Sequence, residues 1–438
     1  MAASTPHPLV LARQAADKTM DEFVAGIHAA AGRRGLHSGT DEARVRKWQR
    51  GVKPNAESQI YIAEALGWPE SIVRADDWPN WLPLTANGVI PFGPHSSVPA
   101  LREALLTAME RRNFLTISGT ALSALAADWA GGSHDTLARA RDGKQQVSED
   151  LVAFLESSTR YLAALPTEQR QHTPALLDAQ LATVTELLEH GRCTAGLRLR
   201  LHTLAASLAQ TTGWHRFDLG HHTDASQLWI AGLHNAHAVG DRDMGAGFLG
   251  DLAYQAAWRG QHTTAADILE HALTRAESPA ARCLLQLRLA RTLAARHDPA
   301  ERRAVLRALA AAEQHLNDAG TDRPSWCAWV SEADVAVDSG QTLLDLGDTR
   351  RAHQLITEGE HLLPASRDKT KGVFLTYQAT SYLDQEEPEP AAAAATEALL
   401  LARRIGAPRC IKLVENLLPR FQPYTRTQGV PELLAAAA

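Results

Sequence analysis

The chain has 438 residues, 45% of them hydrophobic, and its 44 Lys and Arg against 50 Asp and Glu give a net charge of −6. This length is enough for two or three domains with a large core, and the negative charge means that any affinity for nucleic acid must come from a local patch. No apolar run approaches the roughly 20 residues that a membrane span needs, so we expect a soluble, cytoplasmic protein without a membrane partner.

The cysteines also limit the chemistry. Cys193, Cys283, Cys327 and Cys410 are far apart in the sequence and form no CxxC motif. This spacing favours reduced, buried thiols over disulfides or a zinc site.

The first predicted element is an amphipathic helix over residues 19–31, where Phe23 and Ile27 share one side. The segment before it is short and contains Pro6 and Pro8, so a preceding helix stays in doubt. A Gly-containing linker, GRRGLHSG, follows.

Residues 40–54, TDEARVRKWQRGVKP, predict a second, short helix with defined ends. The Thr40 hydroxyl is expected to cap it by accepting from free backbone N–H groups. Gly51 supplies a stop and Pro54 prevents continuation, so we expect a helix of about three turns.

This second helix has two different faces. Val45 and Trp48 form an apolar side, and the opposite side gathers Ala43, Arg46, Lys47 and Arg50. Between residues 33 and 53 there are seven Lys or Arg and two acids, a local positive charge of the kind that phosphate contact requires. On charge alone, an ordinary solvated face is the simpler interpretation.

The order of the neighbouring elements favours DNA. Residues 58–66 predict a third amphipathic helix, which completes the layout helix, linker, basic helix, tight stop, helix. It resembles the Cro/repressor-like (XRE-type) helix-turn-helix domain, whose recognition helix commonly ends in a V-x-x-W-x-x-G run like Val45, Trp48 and Gly51. The linker is longer than the usual tight turn.

The resemblance covers roughly residues 8–75 and implies a set of DNA contacts. Glu42, Ala43 and Lys47 would face base edges in the major groove, where a lysine donates to guanine and a glutamate accepts from cytosine. Arg46, Arg50 and Lys53 would hold phosphates. The full predicted DNA-contact set is Thr40, Glu42, Ala43, Arg44, Arg46, Lys47, Arg50 and Lys53.

A change in composition marks a domain boundary after these helices. Residues 76–99 hold five prolines and two glycines, which predicts an ordered linker pinned by Trp78, Trp81 and Phe92. We therefore expect a helix-turn-helix domain at 1–78, a linker at 79–100, a helical-repeat domain at 101–425 and a tail at 426–438.

The repeat domain is recognised by regularly spaced turns. Gly220, Gly260 and Gly347 each precede an alanine by five residues, and each alanine precedes a large apolar residue by four. Weaker copies are centred near residues 191, 298 and 387. Each unit reads as a helix, a turn and a second helix, and the pattern resembles the tetratricopeptide repeat, although its period is near 40. An irregular helical bundle is the alternative, and both are all-α.

The resemblance implies a right-handed superhelix whose first helices line a concave face. That face would be acidic with aromatic side chains, suited to a peptide or a cationic small molecule. The alternative, slightly favoured, is that these residues are solvated polar groups and structural tryptophans. The predicted ligand-binding residues are Gln210, Trp214, Asp218, Tyr254, Trp258, Asp334, Gln341, Asp345, Thr376, Thr380 and Asp384.

No motif for catalysis or a cofactor is present. The phosphate-binding loop, HExxH and GxSxG are all absent, so we expect no enzyme activity and no cofactor. His215, His221 and His222 lie close to Asp218 and Asp224, but adjacent histidines at a turn cannot share a helical face, so we expect no metal site.

Together these features resemble the XRE-type regulators with tetratricopeptide-like domains found in actinobacteria. The resemblance implies a homodimeric, sequence-specific transcriptional regulator that binds double-stranded DNA and is controlled by a signal at the repeats. Two other classes stay open: an interaction adaptor without functional DNA binding, and an enzyme with an unrecognised active site.

Overall fold

The computed structural model describes residues 7–15, 18–66, 70, 73, 75–79, 82, 90, 92, 96–109, 119–131, 145–165, 169, 172–321 and 323–437. Within these ranges nearly all regular structure is helical, which confirms the predicted all-α fold class.

In the described ranges, the N-terminal part has four α-helices around a core of its own. They are Pro8–Ala15 (α1), Met20–Gly32 (α2), Glu42–Trp48 (α3) and Ala56–Ala65 (α4). The first of them occupies the segment where the sequence left a helix in doubt. α2 and α4 approach closely, because a Cβ added to Gly26 would lie 3.1 Å from the Cβ of Ala65. The core that the four helices share includes Leu9, Phe23, Ile27, Val45, Trp48 and Ile62.

Side-chain caps begin three of these helices. Thr19 and Glu22 form a capping box at α2, each side chain accepting from the other residue's backbone N–H. Asp41 and Asn55 cap α3 and α4 by accepting from the N–H three residues on, at 2.7 and 2.8 Å. The prediction that Thr40 caps the basic helix is therefore wrong by one residue.

Four further helices of the described residues precede the regular array. They are Ser97–Met109 (α5), Gly119–Gly131 (α6), Glu149–Ala164 (α7) and Pro174–His190 (α8). Two short parallel strands, Gln145–Gln146 (β1) and Gly191–Arg192 (β2), join the start of α7 to the end of α8. Among the described residues this is the whole of the β-structure.

From residue 195 onward, consecutive helices pack as five hairpins, which confirms the predicted repetition of helical pairs. Within each pair a short turn reverses the chain. The pairs are Ala195–Asp218 (α9) with His222–Val239 (α10), Arg242–Trp258 (α11) with His262–Arg275 (α12), Pro279–Ala294 (α13) with Arg302–Asp318 (α14), Glu332–Asp345 (α15) with Thr349–Leu362 (α16), and Asp368–Asp384 (α17) with Pro388–Arg404 (α18).

Two helices, Pro408–Phe421 (α19) and Val430–Ala437 (α20), end the described chain. Val430 and Leu433 are fully buried in the core that α17, α18 and α19 share. The segment predicted as a tail, 426–438, therefore contains a helix that packs on this core.

The predicted turns of the array are observed. Gly220, Gly260 and Gly347 have φ of +82°, +76° and +79°, the left-handed region that glycine enters without steric cost. The alanine five residues after each is fully buried, which lets the two helices of a pair approach. At one such approach, a Cβ on Gly340 of α15 would lie 2.6 Å from Cγ1 of Ile356 on α16.

The segment before α5 is anchored at both ends of its described part. Trp78 packs against the N-terminal core, and Phe92 lies with its ring centroid 4.6 Å from that of His234 on α10. Ser96 hydrogen-bonds the same imidazole at 2.8 Å. Trp81, the other predicted anchor, lies outside the described residues. None of the helices in the described ranges is long and apolar enough to cross a membrane.

Candidate functional site

The outward face of α3 is the first candidate site. Val45 is fully buried and Trp48 is 4% exposed, so the helix is fixed by its inner face. Ala43, Lys47 and Arg50 are exposed on the opposite side. This arrangement leaves the basic face accessible from solvent, as the sequence predicts.

The cations around α3 differ in whether they have a partner. Arg46 pairs with Glu42 at 2.7 Å, and Lys53 lies 3.6 Å from an Asp76 oxygen. In the part of the chain that the structure describes, no ion pair is formed by the exposed residues Arg44, Lys47 and Arg50. These three are the free positive charges of the site.

The pairing of Glu42 with Arg46 bears on two predicted contacts. The sequence assigns Glu42 to a base edge and Arg46 to a phosphate, but the two groups face each other along one side of α3. Either role requires this exposed pair to open. Exposed pairs of this type contribute only about 0.3–0.5 kcal/mol, so opening it is a small cost.

Thr40 is buried at 3% exposure, and its place is fixed by the linker. Its hydroxyl accepts a hydrogen bond from the Ser38 hydroxyl at 2.9 Å, and its carbonyl oxygen lies 2.7 Å from Nε2 of His28 on α2. In this conformation the Thr40 side chain is therefore not exposed for the contact with DNA that the sequence predicts. The residue instead ties the long linker back to α2.

The inner face of the array is the second candidate site, and it includes the buried Asp251 on α11. This carboxylate is 2% exposed and accepts from Arg288 on α13 at 2.9 Å. It also accepts from Gln210 and from the indole N–H of Trp214, both on α9, at 3.3 and 3.2 Å. Burial raises the pKa of Asp251, and Arg288 opposes that rise.

A second cluster surrounds Asp218, at the end of α9. It accepts from Nε of Arg409 on α19 at 2.9 Å and from the ammonium of Lys369 on α17. The Arg409 guanidinium also donates to the Tyr254 hydroxyl at 2.8 Å. Its central carbon lies 5.8 Å from the ring centroid of Trp258. Helices more than 150 residues apart in sequence thus meet at one carboxylate.

A third cluster continues along the same face. Arg291 of α13 donates to Asp338 of α15 at 2.8 Å and to the Tyr377 hydroxyl of α17 at 2.7 Å. Burial raises the pKa values of Asp338 and Tyr377, while the Arg291 charge lowers both.

The structure brings together five of the predicted ligand residues and separates the others. Gln210, Trp214, Asp218, Tyr254 and Trp258 lie in one aromatic and polar group, with the rings of Trp214 and Tyr254 5.7 Å apart. The remaining predicted residues, from α15 and α17, make separate contacts.

Each of those contacts joins residues of one helix or of neighbouring elements. Asp334 accepts from both guanidinium nitrogens of Arg367 at 2.8 Å and from Ser331 at the start of α15. Gln341 donates to Asp345 at 3.2 Å, and Asp384 accepts from Arg420 at 2.6 Å. The hydroxyls of Thr376 and Thr380 donate to carbonyls of their own helix.

Most of the carboxylates that the sequence predicts for the inner face have cationic partners. Asp218, Asp334 and Asp384 pair with Arg409, Arg367 and Arg420, whereas Asp345 accepts from Gln341. The sequence pattern did not place those cations there, because each lies 33 to 191 residues from its carboxylate. The groups that sequence reasoning missed are Asp251, Arg288, Arg291, Asp338, Lys369, Tyr377 and Arg409. The one signal in the sequence was the spacing of Arg288 and Arg291. They are three residues apart on the first helix of a hairpin, so they lie on the same side of it.

The histidines and cysteines are placed as structural groups. The described residues contain no cluster of His, Cys, Asp or Glu arranged to hold a metal ion. All four cysteines are free and buried, and burial raises the pKa of Cys283 and of Cys327 to about 12. Thiols of this kind are unreactive near neutral pH.

Comparison with known proteins adds little to this geometry. No protein-family model matches the chain, and no curated protein matches it by sequence. A chain from the crystal structure of the APC/C hetero-tetramer Cut9-Hcn1 is similar at 14% identity, covering 90% of this chain and 81% of that chain, with a TM-score of 0.27. At that TM-score the similarity carries no argument, so the class of all-α helical-hairpin proteins rests on the observed helices.

Proposed function

We propose that the chain is a sequence-specific DNA-binding transcriptional regulator that contacts duplex DNA through α3. The proposal is carried by three exposed cations that form no ion pair within the described residues: Arg44 and Lys47 on α3, and Arg50 in the turn that follows it. The helix is held from behind by Val45 and Trp48. A rigid helix with a free cationic face provides both the charge and the fixed orientation that a major-groove contact needs.

The proposed division of labour follows from where each residue lies. Lys47 and Ala43, at the centre of the outward face, would meet base edges, and Arg44 and Arg50 at its borders would meet phosphates. The buried Thr40 would position the linker. Two copies of the chain would read two half-sites, because helix-turn-helix proteins commonly bind as dimers.

We further propose that residues 101–425, a tetratricopeptide-like domain that contains the hairpin array, receive the signal. Support comes from the five hairpins and from the polar and aromatic inner face that they share. An interaction adaptor is the second candidate, because helical-hairpin arrays commonly present extended surfaces to other proteins.

A DNA-selection experiment separates the two. A pool of randomised duplexes is incubated with the full chain and enriched over successive rounds, and the bound fraction is then measured by gel shift. A regulator enriches a defined sequence, and Lys47→Ala relaxes the preference at one or two positions. An adaptor without DNA binding enriches no sequence, and that result refutes the proposal.

A further inference from the structure

The Arg409 side chain lies in a closed set of groups contributed by other helices. It is near the start of α19 and its side chain is only 11% exposed. The guanidinium meets the Asp218 carboxylate and the Tyr254 hydroxyl at 2.9 and 2.8 Å. Its central carbon also lies 5.5 Å from the ring centroid of Phe217 and 5.8 Å from those of Tyr254 and Trp258. Three rings and one carboxylate therefore surround one cation.

We propose that this aromatic cage, formed by Phe217, Asp218, Tyr254 and Trp258, is a binding site for a guanidinium group, and that Arg409 occupies it as an internal ligand. An arginine side chain of a partner, or a small guanidinium compound, would enter the cage when α19 moves away. The inference rests on the proposed role of the array as the signal-receiving part, and it does not depend on DNA binding.

The cage is complete without its occupant. Its four residues come from α9 and α11, which belong to adjacent hairpins. The Phe217 ring lies 5.8 Å from the Tyr254 ring and 5.9 Å from the Trp258 ring, and Phe217 is 1% exposed in the core beneath them. Because these contacts hold the rings in place, removal of the guanidinium leaves a preorganised site.

The occupant, in contrast, comes from a distant part of the chain. Arg409 and Lys369 come from helices 191 and 151 positions after Asp218. Neither α17 nor α19, both fully described, packs extensively against α9 or α11. Side chains rather than helix packing join α19 to α9 and α11. Exchange of the occupant therefore breaks those side-chain contacts and disturbs the packing of α19 on α17 and α18.

The chemistry of the cage selects a guanidinium over an ammonium. A planar guanidinium can donate to the carboxylate through one edge and stack its face on aromatic rings at the same time. Here the edge donates to Asp218 and Tyr254 while the flat group remains close to three rings. A lysine ammonium would satisfy the carboxylate but lose the planar stacking.

The first test removes the guanidinium of Arg409 from the cage and leaves Lys369 paired with Asp218. Methylguanidine is titrated calorimetrically into the Arg409→Ala variant, the wild type and the Arg409→Ala/Asp218→Asn variant, without DNA. We expect saturable binding to Arg409→Ala, at least tenfold weaker binding to wild type, and none to the double variant. Methylammonium should bind Arg409→Ala more weakly than methylguanidine. Equal affinity for the two cations, or no binding by the folded variant, overturns the proposal.

Arg420→Ala is the matched control on the same helix. It breaks the pair of Arg420 with Asp384, which are 39% and 29% exposed, and leaves the cage occupied. We expect it to bind methylguanidine as weakly as the wild type does. If Arg420→Ala bound methylguanidine as tightly as Arg409→Ala does, binding would depend on loosening of α19 and not on the cage. That result would refute the assignment.

The second test asks whether the wild-type occupant exchanges, and it needs no variant to fold. Backbone hydrogen exchange of α19 is measured in the wild type with and without agmatine, a guanidinium compound. If agmatine displaces Arg409, exchange in α19 rises while that in α9 and α11 stays constant or falls. Unchanged exchange of α19 at saturating agmatine would mean that Arg409 is a fixed structural group. Either result is independent of the gel-shift outcome, so failure here leaves the proposed DNA binding separately testable.

Discussion

Substitution of the three cations on α3 and in the turn after it should remove their contribution to the salt dependence of DNA binding. The change is Arg44→Ala/Lys47→Ala/Arg50→Ala, which removes exposed side chains and leaves the buried Val45 and Trp48 in place. Stability should change little, because none of the three side chains forms an ion pair in the described part of the chain.

The magnitude follows from counterion release. Each phosphate neutralised contributes about −0.9 to the slope of log K against log salt, so three cations give about −2.7 per protomer. Between about 50 and about 200 mM salt this slope weakens binding by about 40-fold. The triple variant should lose that dependence.

The assay is a fluorescence-anisotropy titration of a random-sequence duplex at four salt concentrations. Arg303→Ala/Arg350→Ala/Arg351→Ala is the matched control, since it removes the same charge from exposed positions of α14 and α16. An unchanged slope in the α3 variant, or an equal loss in the control, would show that net charge and not this helix face attracts DNA.

Three further results are expected from the buried groups. Burial lowers the pKa of His202 to about 4 and that of His234 to about 3 from the ordinary 6.5, so the unfolded chain binds more protons below pH 6.5 and stability is lost as the pH falls. Between pH 7.5 and 5, urea unfolding should show that the free energy of unfolding falls by about 2 kcal/mol for each histidine. The total fall should be smaller in the His202→Gln variant, which lacks one of the two groups. Gly340→Val should destabilise by about 1–3 kcal/mol because its side chain meets α16, whereas Gly372→Ala, whose added Cβ has no neighbour closer than 3.7 Å, should be tolerated; thermal melts distinguish them. Asp251→Ala should cost about 3–5 kcal/mol in urea unfolding, since it leaves a buried arginine unpaired, and a cost below 1 kcal/mol would contradict the buried pair.

The local features of the fold were predictable because their causes are local. The turns at Gly220, Gly260 and Gly347 are visible in the sequence, since a positive φ needs glycine and the following hairpin contact needs a small residue. The start of α3 was misplaced because Thr40 and Asp41 are both good capping residues. In the structure the Thr40 hydroxyl instead accepts from Ser38, and the Thr40 carbonyl contacts His28, twelve residues away.

The electrostatics of the inner face depended on contacts that periodicity does not contain. Each repeat predicts which of its own residues face inward, and Asp218 and Tyr254 do meet there. The identity of their partner, Arg409, depends on how far the array curves over three hairpins. Small rotations between hairpins add up, so the sequence of one repeat does not determine which distant helix faces it.

The sequence separation of the contacts in the array has a consequence for the kinetics of folding. Contacts within each hairpin join residues near in sequence, so their loop-closure entropy is small and they form early in folding. The ion pair of Asp218 with Arg409 spans 191 residues and gains little until every intervening hairpin is in place. It should therefore form last during folding and be the first long-range interaction to break when the chain begins to unfold.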